Sequence, residues 1–265
     1  WAWLLGRGII HEPDDIRDDN PPSNPELLAW LEKEFSAHQY DLKYLYRLIL
    51  NSKTYQLSSV SKSSDPSAAA QFASYPLRRL EAEVLIDAIN SITGSSDLYT
   101  SAIPEPFTYI PKDQSAVSIA DGSITSPFLA LFGRSARATG MWNERDNEAT
   151  PSQRLHLLNS GQIQEKLEKG PKLKALISAK KPPEEIIEDI YLTILSRRPT
   201  KEEKQIVFAY GNLGPPENLP PPGKPGKTGN EKQKQQRKPG DPGRQSSWID
   251  IAWALINSPE FLYRH

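Results

Sequence analysis

The chain has 265 residues, a net charge of −1, 37% hydrophobic and 25% charged residues, and no cysteine. The balanced charge gives no basic field that would attract nucleic acid, and the missing thiols exclude disulfides, thiolate catalysis and zinc–thiolate sites. No apolar run reaches the length of about 18 residues that a membrane-spanning helix needs. We therefore expect neither nucleic-acid binding nor membrane insertion.

Metal binding finds little support in the sequence. The four histidines are never spaced to share one helix face, so a two-histidine helical site is excluded. An acidic run at 14–19 contains four aspartates, which suit calcium, but it lacks the glycine and terminal glutamate of an EF-hand loop. We expect no metal site in this chain.

The first hundred residues predict three helices after an extended start over residues 1–22. The first helix begins at the Ser23–Glu26 cap, the second begins at Asp41, and the third runs from about Pro76 to Ile92. Apolar side chains recur at helical spacing in each helix. We predict these as the buried faces: Leu27, Leu28, Trp30, Leu31 and Phe35; Leu42, Leu45, Leu48 and Ile49; Leu77, Leu80, Val84, Ala88 and Ile92.

The rest of the chain alternates between irregular and helical sequence. Residues 95–149 break the helical pattern, and within them 128–132 fits either a strand or a helical turn. Capping boxes at Thr150 and Thr200 and a stripe over 183–196 predict further helices. The inward positions that we predict are Leu155, Leu158, Ile163 and Leu167, then Ile186, Ile187, Ile190, Tyr191 and Ile194, and lastly Ile249, Trp253 and Ile256.

Residues 214–246 differ in composition from the rest of the chain, because they are rich in proline, glycine, lysine and glutamine and nearly lack apolar side chains. Such a segment cannot bury enough surface to offset its ordering entropy, so we predict a disordered insertion. The predicted fold class is mainly α, a multi-helix domain with a long irregular loop region and this insertion. We treat 1–265 as a single helical domain and as an N-terminally truncated fragment of a larger protein.

The densest polar segment lies between Arg134 and Asn159. An irregular loop there leads into a well-capped helix, and helix N-termini and arginines both attract anions. We predict ligand-binding residues in this segment: Arg134, Arg145, Gln153, His156 and Asn159. The candidate catalytic residues are His156 as a general base and the carboxylates of Glu144 and Glu148. The alternative is that these arginines and acids pair with each other to hold a long loop in place.

The charged run from Arg78 to Glu83 also has two interpretations. Two arginines followed by two glutamates at helical spacing are typical of a solvated, self-paired face. The other interpretation is a buried salt network that clamps neighbouring helices. Nucleotide-binding glycine loops, zinc-protease motifs and serine-hydrolase elbows have no counterpart in the sequence.

Many ordered blocks carry a resemblance to one family. The chain resembles the C-terminal domain of unknown function 1553 of large planctomycete-type proteins that also contain a cytochrome-c-like domain. The matching blocks are Gly6–Ile9, Pro13–Asp15, Asn24–Leu31, Asp41–Lys43, Arg47–Ile49, Ser52–Gln56, Arg78–Glu83, Phe132–Arg134, Glu144–Arg145, Gln153–Ser160, Leu195–Thr200 and Ala252–Phe261. Many relatives have cysteines just before the Glu144–Arg145 pair, where this chain has Thr139–Asn143, so a cysteine-based role cannot operate here.

The resemblance implies an extracytoplasmic setting, periplasmic or secreted, with haem on another domain of the parent protein and no cofactor in this chain. It implies no known activity. We expect a non-catalytic binding and assembly module whose partners are other domains of the parent protein or an extracellular polysaccharide. The alternative is a polysaccharide hydrolase that uses acid–base carboxylates flanking a cleft.

Overall fold

The computed structural model describes residues 1–137, 140–141, 144–146, 148–210, 213 and 242–264. The fold is mainly helical with a few two-residue strands, as the sequence predicts. The chain divides into two compact units. The first unit comprises Trp1–Leu80, Ser135–Asn147 and Tyr263–His265, and the second comprises Glu81–Arg134 and Glu148–Leu262.

The first unit is built on two capped helices. Its elements are α1 (Ala2–Leu5), α2 (Pro25–Ala37), α3 (Leu42–Leu50), a 3₁₀ turn (Pro66–Ala69), and strands β1 (Arg78–Arg79) and β4 (Tyr263–Arg264), which pair antiparallel. The Asn24 and Asp41 side chains accept hydrogen bonds from the first backbone N–H groups of α2 and α3, which fixes where both helices begin. The core of the unit consists of Leu5, Ile9, Leu31, Ile49, Phe72 and Tyr75.

The second unit contains most of the helices. Its elements are α4 (Ala82–Thr93), β2 (Thr100–Ser101), a 3₁₀ turn (Ala116–Ser118), β3 (Ile124–Thr125), α5 (Pro127–Leu131), α6 (Pro151–Asn159), α7 (Gly161–Lys169), α8 (Pro171–Ile177), α9 (Pro183–Leu195), α10 (Lys201–Ala209), α11 (Pro242–Ile256) and α12 (Pro259–Leu262). Helix α4 packs against α5, α7 and α8, and α9 packs against α8, α10, α11 and α12. Both capping boxes and the buried α9 stripe are confirmed.

The predicted helix from Pro76 to Ile92 is wrong in its first third. Residues Arg78 and Arg79 form strand β1, and α4 begins only at Ala82. The buried face of α4 is also rotated from the prediction, because Leu85, Ile86 and Ile89 are fully buried whereas Val84 and Ala88 are half-buried. Outside the helix, Leu77 is exposed to solvent rather than buried.

Several other predicted faces need correction. Trp30 and Leu42 are exposed, and α2 and α3 bury only Leu31 and Ile49 fully. Leu155 and Leu158 of α6 are also exposed. In α11, Trp248, Ala252 and Ile256 are fully buried, whereas Ile249 and Trp253 are half-buried.

The predicted insertion at 214–246 lies mostly outside the described residues. Helix α11 begins at Pro242, so the last five residues of that predicted range are helical. The segment at 128–132, for which strand and helix remained open, is largely covered by the short helix α5. No helix in the described part of the chain is long and apolar enough to cross a membrane.

Candidate functional site

Arg134 lies inside the second unit rather than on its surface. Its side chain is 2% exposed, and its Nε lies 3.6 Å from Oε1 of Glu83, whose side chain is 5% exposed. The guanidinium also donates to the backbone carbonyl oxygens of Ile119, Asp121 and Ile124. The side chain therefore fixes the irregular segment before α5 onto α4.

This buried pair decides between the two interpretations of the Arg78–Glu83 run. Glu83 is buried on α4, and Arg79 is buried in β1, so the prediction of a solvated, self-paired helix face is wrong. Burial lowers the pKa of Arg79, and the nearby Tyr263 and Asp146 oppose that shift. The alternative of a buried ionic contact describes Glu83 and Arg134 in the second unit.

Gln153 closes the capping box of α6. Its Oε1 accepts a hydrogen bond from the Thr150 backbone N–H at 2.9 Å, and its Nε2 donates to the Leu131 carbonyl oxygen at 2.9 Å. The side chain is buried, and both ends of its amide are occupied. Gln153 thus ties the start of α6 to the end of α5.

His156 lies one helical turn further along the same inner face of α6. Its ring packs edge-on against Phe128 and Phe132, at centroid distances of 5.7 and 6.0 Å. Its Nε2 is buried without a hydrogen-bond partner among the described residues. Burial lowers the pKa of His156, so the neutral ring is favoured.

The remaining predicted site residues fall in different units. Glu144 and Arg145 belong to the first unit, and Glu144 accepts a hydrogen bond from Ser135 Oγ at 2.9 Å. Glu148 and Asn159 belong to the second unit, and both are exposed. Asn159 shares the outer face of α6 with the exposed Leu155 and Leu158. The structure thus brings Gln153 and His156 to one helix face and Asn159 to the other.

A buried lysine network in the second unit is absent from the sequence-based candidates. Nζ of Lys166 lies 3.1 Å from Oδ2 of Asp97 and donates to Asn90 Oδ1 at 2.7 Å and to the Ser96 carbonyl at 3.1 Å. Asp97 also accepts from Asn90 Nδ2 at 3.0 Å and from Gln162 Nε2 at 2.7 Å. Lys166 and Asp97 are both over nine-tenths buried, so the network joins α4 to α7.

An open depression of about 460 Å³ lies over this network, and we call it the α7 groove. It is lined by Ser95, Ser96, Asp97, Leu98, Gln162, Glu165, Lys166, Lys169, Gly170 and Pro171. Its charged groups are already paired, since Lys169 contacts Glu165 at 2.8 Å and Lys166 contacts Asp97. Each charged side chain of the described lining therefore has an oppositely charged partner.

A second cavity, of about 420 Å³, lies beside α2 and α3 in the first unit, and we call it the tryptophan pocket. It is lined by Trp1, Leu27, Trp30, Leu31, Tyr44, Arg47, Leu48, Ile49, Asn51, Ser52 and Thr54. Among the described residues of this lining, Arg47 is the one with a charged side chain. Within the described residues, no group of three or more histidine, aspartate or glutamate side chains is placed to hold a metal ion.

Arg197 forms a charged clamp in the second unit. Its guanidinium contacts Glu203 at 2.7 Å and Glu260 at 2.6 Å, which joins the end of α9 to α10 and α12. Hydrogen bonds from Arg197 hold the pKa of Glu203 at about 2. The side chains are each about one-third exposed, so solvent weakens the clamp.

The clamp makes stability dependent on pH. The pKa of Glu203 is lower in the folded chain than its value of about 4.3 in the unfolded chain. At pH values between these two pKa values the unfolded state binds more protons than the folded state. The contribution is complete above about pH 4.3 and is lost as pH falls towards 2. The melting temperature of the wild type should therefore fall as pH decreases from about 4.3 towards 2. We expect this fall to be smaller in Arg197→Gln and unchanged in Arg198→Gln, which replaces an exposed neighbour. Identical pH profiles for wild type and Arg197→Gln would contradict the clamp.

Comparison with known proteins gives one match. A family model described as PSD1, a protein of unknown function (DUF1553), matches residues 1–210. The chain belongs to this family. The matched range includes Arg134, Gln153 and the lining of both cavities, so these features lie within the DUF1553 region. No curated protein and no solved structure matches the chain.

Proposed function

We propose that this DUF1553 chain is a non-catalytic binding and assembly module of a larger extracytoplasmic protein. Its proposed partner is another domain of that protein, such as a cytochrome-type domain that carries haem. An extracellular polysaccharide is the second proposed ligand. Of the predicted ligand-binding residues, Gln153 and His156 support α6 on its inner face, and Asn159 is part of its outer surface.

The observation that carries the proposal is the difference between the packed inner face of α6 and its exposed, partly apolar outer face. On the inner face, Gln153 and His156 are occupied in packing and hydrogen bonds. On the outer face, Leu155 is 59% and Leu158 is 40% exposed, beside the exposed Asn159. Neighbouring exposed leucines on one helix face are suited to contact another protein surface, because their burial there would be favourable.

Three polar residues of the same segment, His156, Glu144 and Arg134, give little support to hydrolysis. General acid–base catalysis needs a titratable group within hydrogen-bond reach of a substrate proton. His156 Nε2 lies buried against phenylalanine rings, and Glu144 accepts a hydrogen bond from Ser135. Arg134 is held by backbone carbonyls and Glu83. These contacts are consistent with structural roles for Arg134 and His156 in the second unit and for Glu144 in the first.

The test is calorimetric titration of the chain with the remaining domains of its parent protein. We expect the double substitution Leu155→Lys/Leu158→Lys to weaken binding by about tenfold or more, as is typical when central apolar contacts are lost. Both positions are exposed, so the variant should fold normally.

A matched control is Ile206→Lys, because Ile206 is 70% exposed on α10. This control should bind like the wild type. Equal affinities for the wild type and the double variant would contradict the proposed surface. Release of reducing sugar ends from a polysaccharide by the wild type would contradict the non-catalytic assignment.

A further inference from the structure

The tryptophan pocket has the size and lining of a small-molecule site. Its volume of about 420 Å³ falls within the range of roughly 300–1,000 Å³ found for ligand pockets. Leucines and isoleucine from α2 and α3 form much of the wall, and Trp30 is 46% exposed at its edge. Such a lining is suited to an apolar body, which gains free energy when it leaves water.

Arg47 supplies charge to this apolar pocket. It is exposed on α3 and makes no ion pair or hydrogen bond through its side chain with any described residue. None of the described lining residues is acidic. An uncompensated guanidinium beside an apolar wall favours an anionic group, and carboxylates match its fork of donors.

The other polar groups of the lining are mostly engaged already. Tyr44 donates its hydroxyl proton to Glu34 at 2.9 Å, and Ser52 Oγ accepts from the Tyr55 N–H at 3.1 Å. Trp1 differs, because its indole N–H is buried and has no acceptor among the described residues. A buried donor without a partner costs free energy, which an acceptor on a ligand would recover.

From these observations we propose that the tryptophan pocket binds a small amphipathic carboxylate, with its apolar body against Trp30 and the leucines and its carboxylate at Arg47. A polyhydroxylated sugar would need many more free hydrogen-bonding groups than this lining offers. A cationic amphiphile would meet Arg47 with like charge. The site is separate from the outer face of α6 and does not depend on the proposed assembly function.

The test uses three probes with the same eight-carbon chain: octanoate, 1-octanol and octyltrimethylammonium, each titrated calorimetrically into the whole chain below micelle-forming concentrations. We expect octanoate to bind about two- to fivefold more tightly than 1-octanol, because an ion pair with an exposed guanidinium such as that of Arg47 is weakened by solvent. Octyltrimethylammonium should bind most weakly of the three.

Three variants test whether the preference for octanoate arises in the tryptophan pocket. Arg47→Gln should reduce octanoate to the affinity of 1-octanol and leave 1-octanol unchanged. Lys43→Gln removes the same charge from α3 outside the lining and should keep the preference. Trp30→Ala should weaken both probes.

Other results would overturn the proposal. They are absence of binding by all three probes, equal affinities of octanoate and 1-octanol in the wild type, a preference that survives Arg47→Gln, and wild-type binding by Trp30→Ala. Melting curves of each variant check that the chain remains folded.

Discussion

Arg134→Met is expected to lower the free energy of unfolding by about 3–5 kcal/mol, the usual cost when one partner of a buried ion pair is removed. The substitution removes the Arg134 guanidinium from the Glu83 carboxylate in a site where that side chain is 5% exposed. It also removes the donor to the carbonyl oxygens of Ile119, Asp121 and Ile124. Urea unfolding followed by circular dichroism measures the change.

The control for this prediction is Arg154→Met. Arg154 is an exposed arginine of α6 outside these contacts, so its loss should leave the free energy of unfolding close to that of the wild type. A loss below about 1 kcal/mol in Arg134→Met would indicate a solvated side chain and would contradict the scaffolding role.

Lys166→Met is expected to cost a similar amount, about 3–5 kcal/mol. It leaves Asp97 charged, buried and dependent on Asn90 and Gln162 alone. Adding Asp97→Asn should recover part of the loss, because an isosteric neutral amide no longer needs the ammonium group. The coupling between the two substitutions follows from a double-mutant cycle of unfolding free energies.

Lys169→Met serves as the matched control on the same helix. Its partner Glu165 and Lys169 itself are both exposed, and surface pairs of this kind contribute little. The control should therefore melt like the wild type. The assignment of a buried network would be contradicted if Lys166→Met and Lys169→Met had equal effects, or if Asp97→Asn gave no recovery.

The helices that could be predicted from sequence are those whose signals are local. The α9 stripe and the capping boxes at Thr150 and Thr200 depend on residues within one or two turns, and the structure has them as expected. The start of α7 also has a local signal, because the Ser160 side chain accepts a hydrogen bond from the Gln162 N–H.

The buried face of α6 could not be predicted from sequence, because a hydrogen-bond partner distant in the chain decides which side chains face inward. Spacing favoured Leu155 and Leu158 as the inner face, yet Gln153 turns inward to bond a carbonyl oxygen 22 residues earlier in the chain. Burying a glutamine is favourable only when such partners exist, and no local pattern encodes them. The leucines are consequently turned towards solvent.

Lys166 was missed for a related reason. In sequence it stands among Glu165, Glu168 and Lys169, so it looks like any charge on a solvated helix face. Its burial depends on Asp97 and Asn90, which lie about 70 residues earlier in the chain. Arg134 shows the same limit, since its partner Glu83 lies on α4. Ligand binding by the Arg134–Asn159 segment is a proposal that binding measurements test.

The most direct test of the proposed binding and assembly role is the melting temperature of the chain with and without the remaining domains of its parent protein. A partner that binds only the folded state raises the melting temperature by mass action. We predict a concentration-dependent rise for the wild type, and about tenfold higher concentrations of those domains should be needed for the same rise in Leu155→Lys/Leu158→Lys. An unchanged melting temperature at saturating concentrations of those domains would contradict the assembly role, and a rise with a polysaccharide alone would assign the module to that polymer instead.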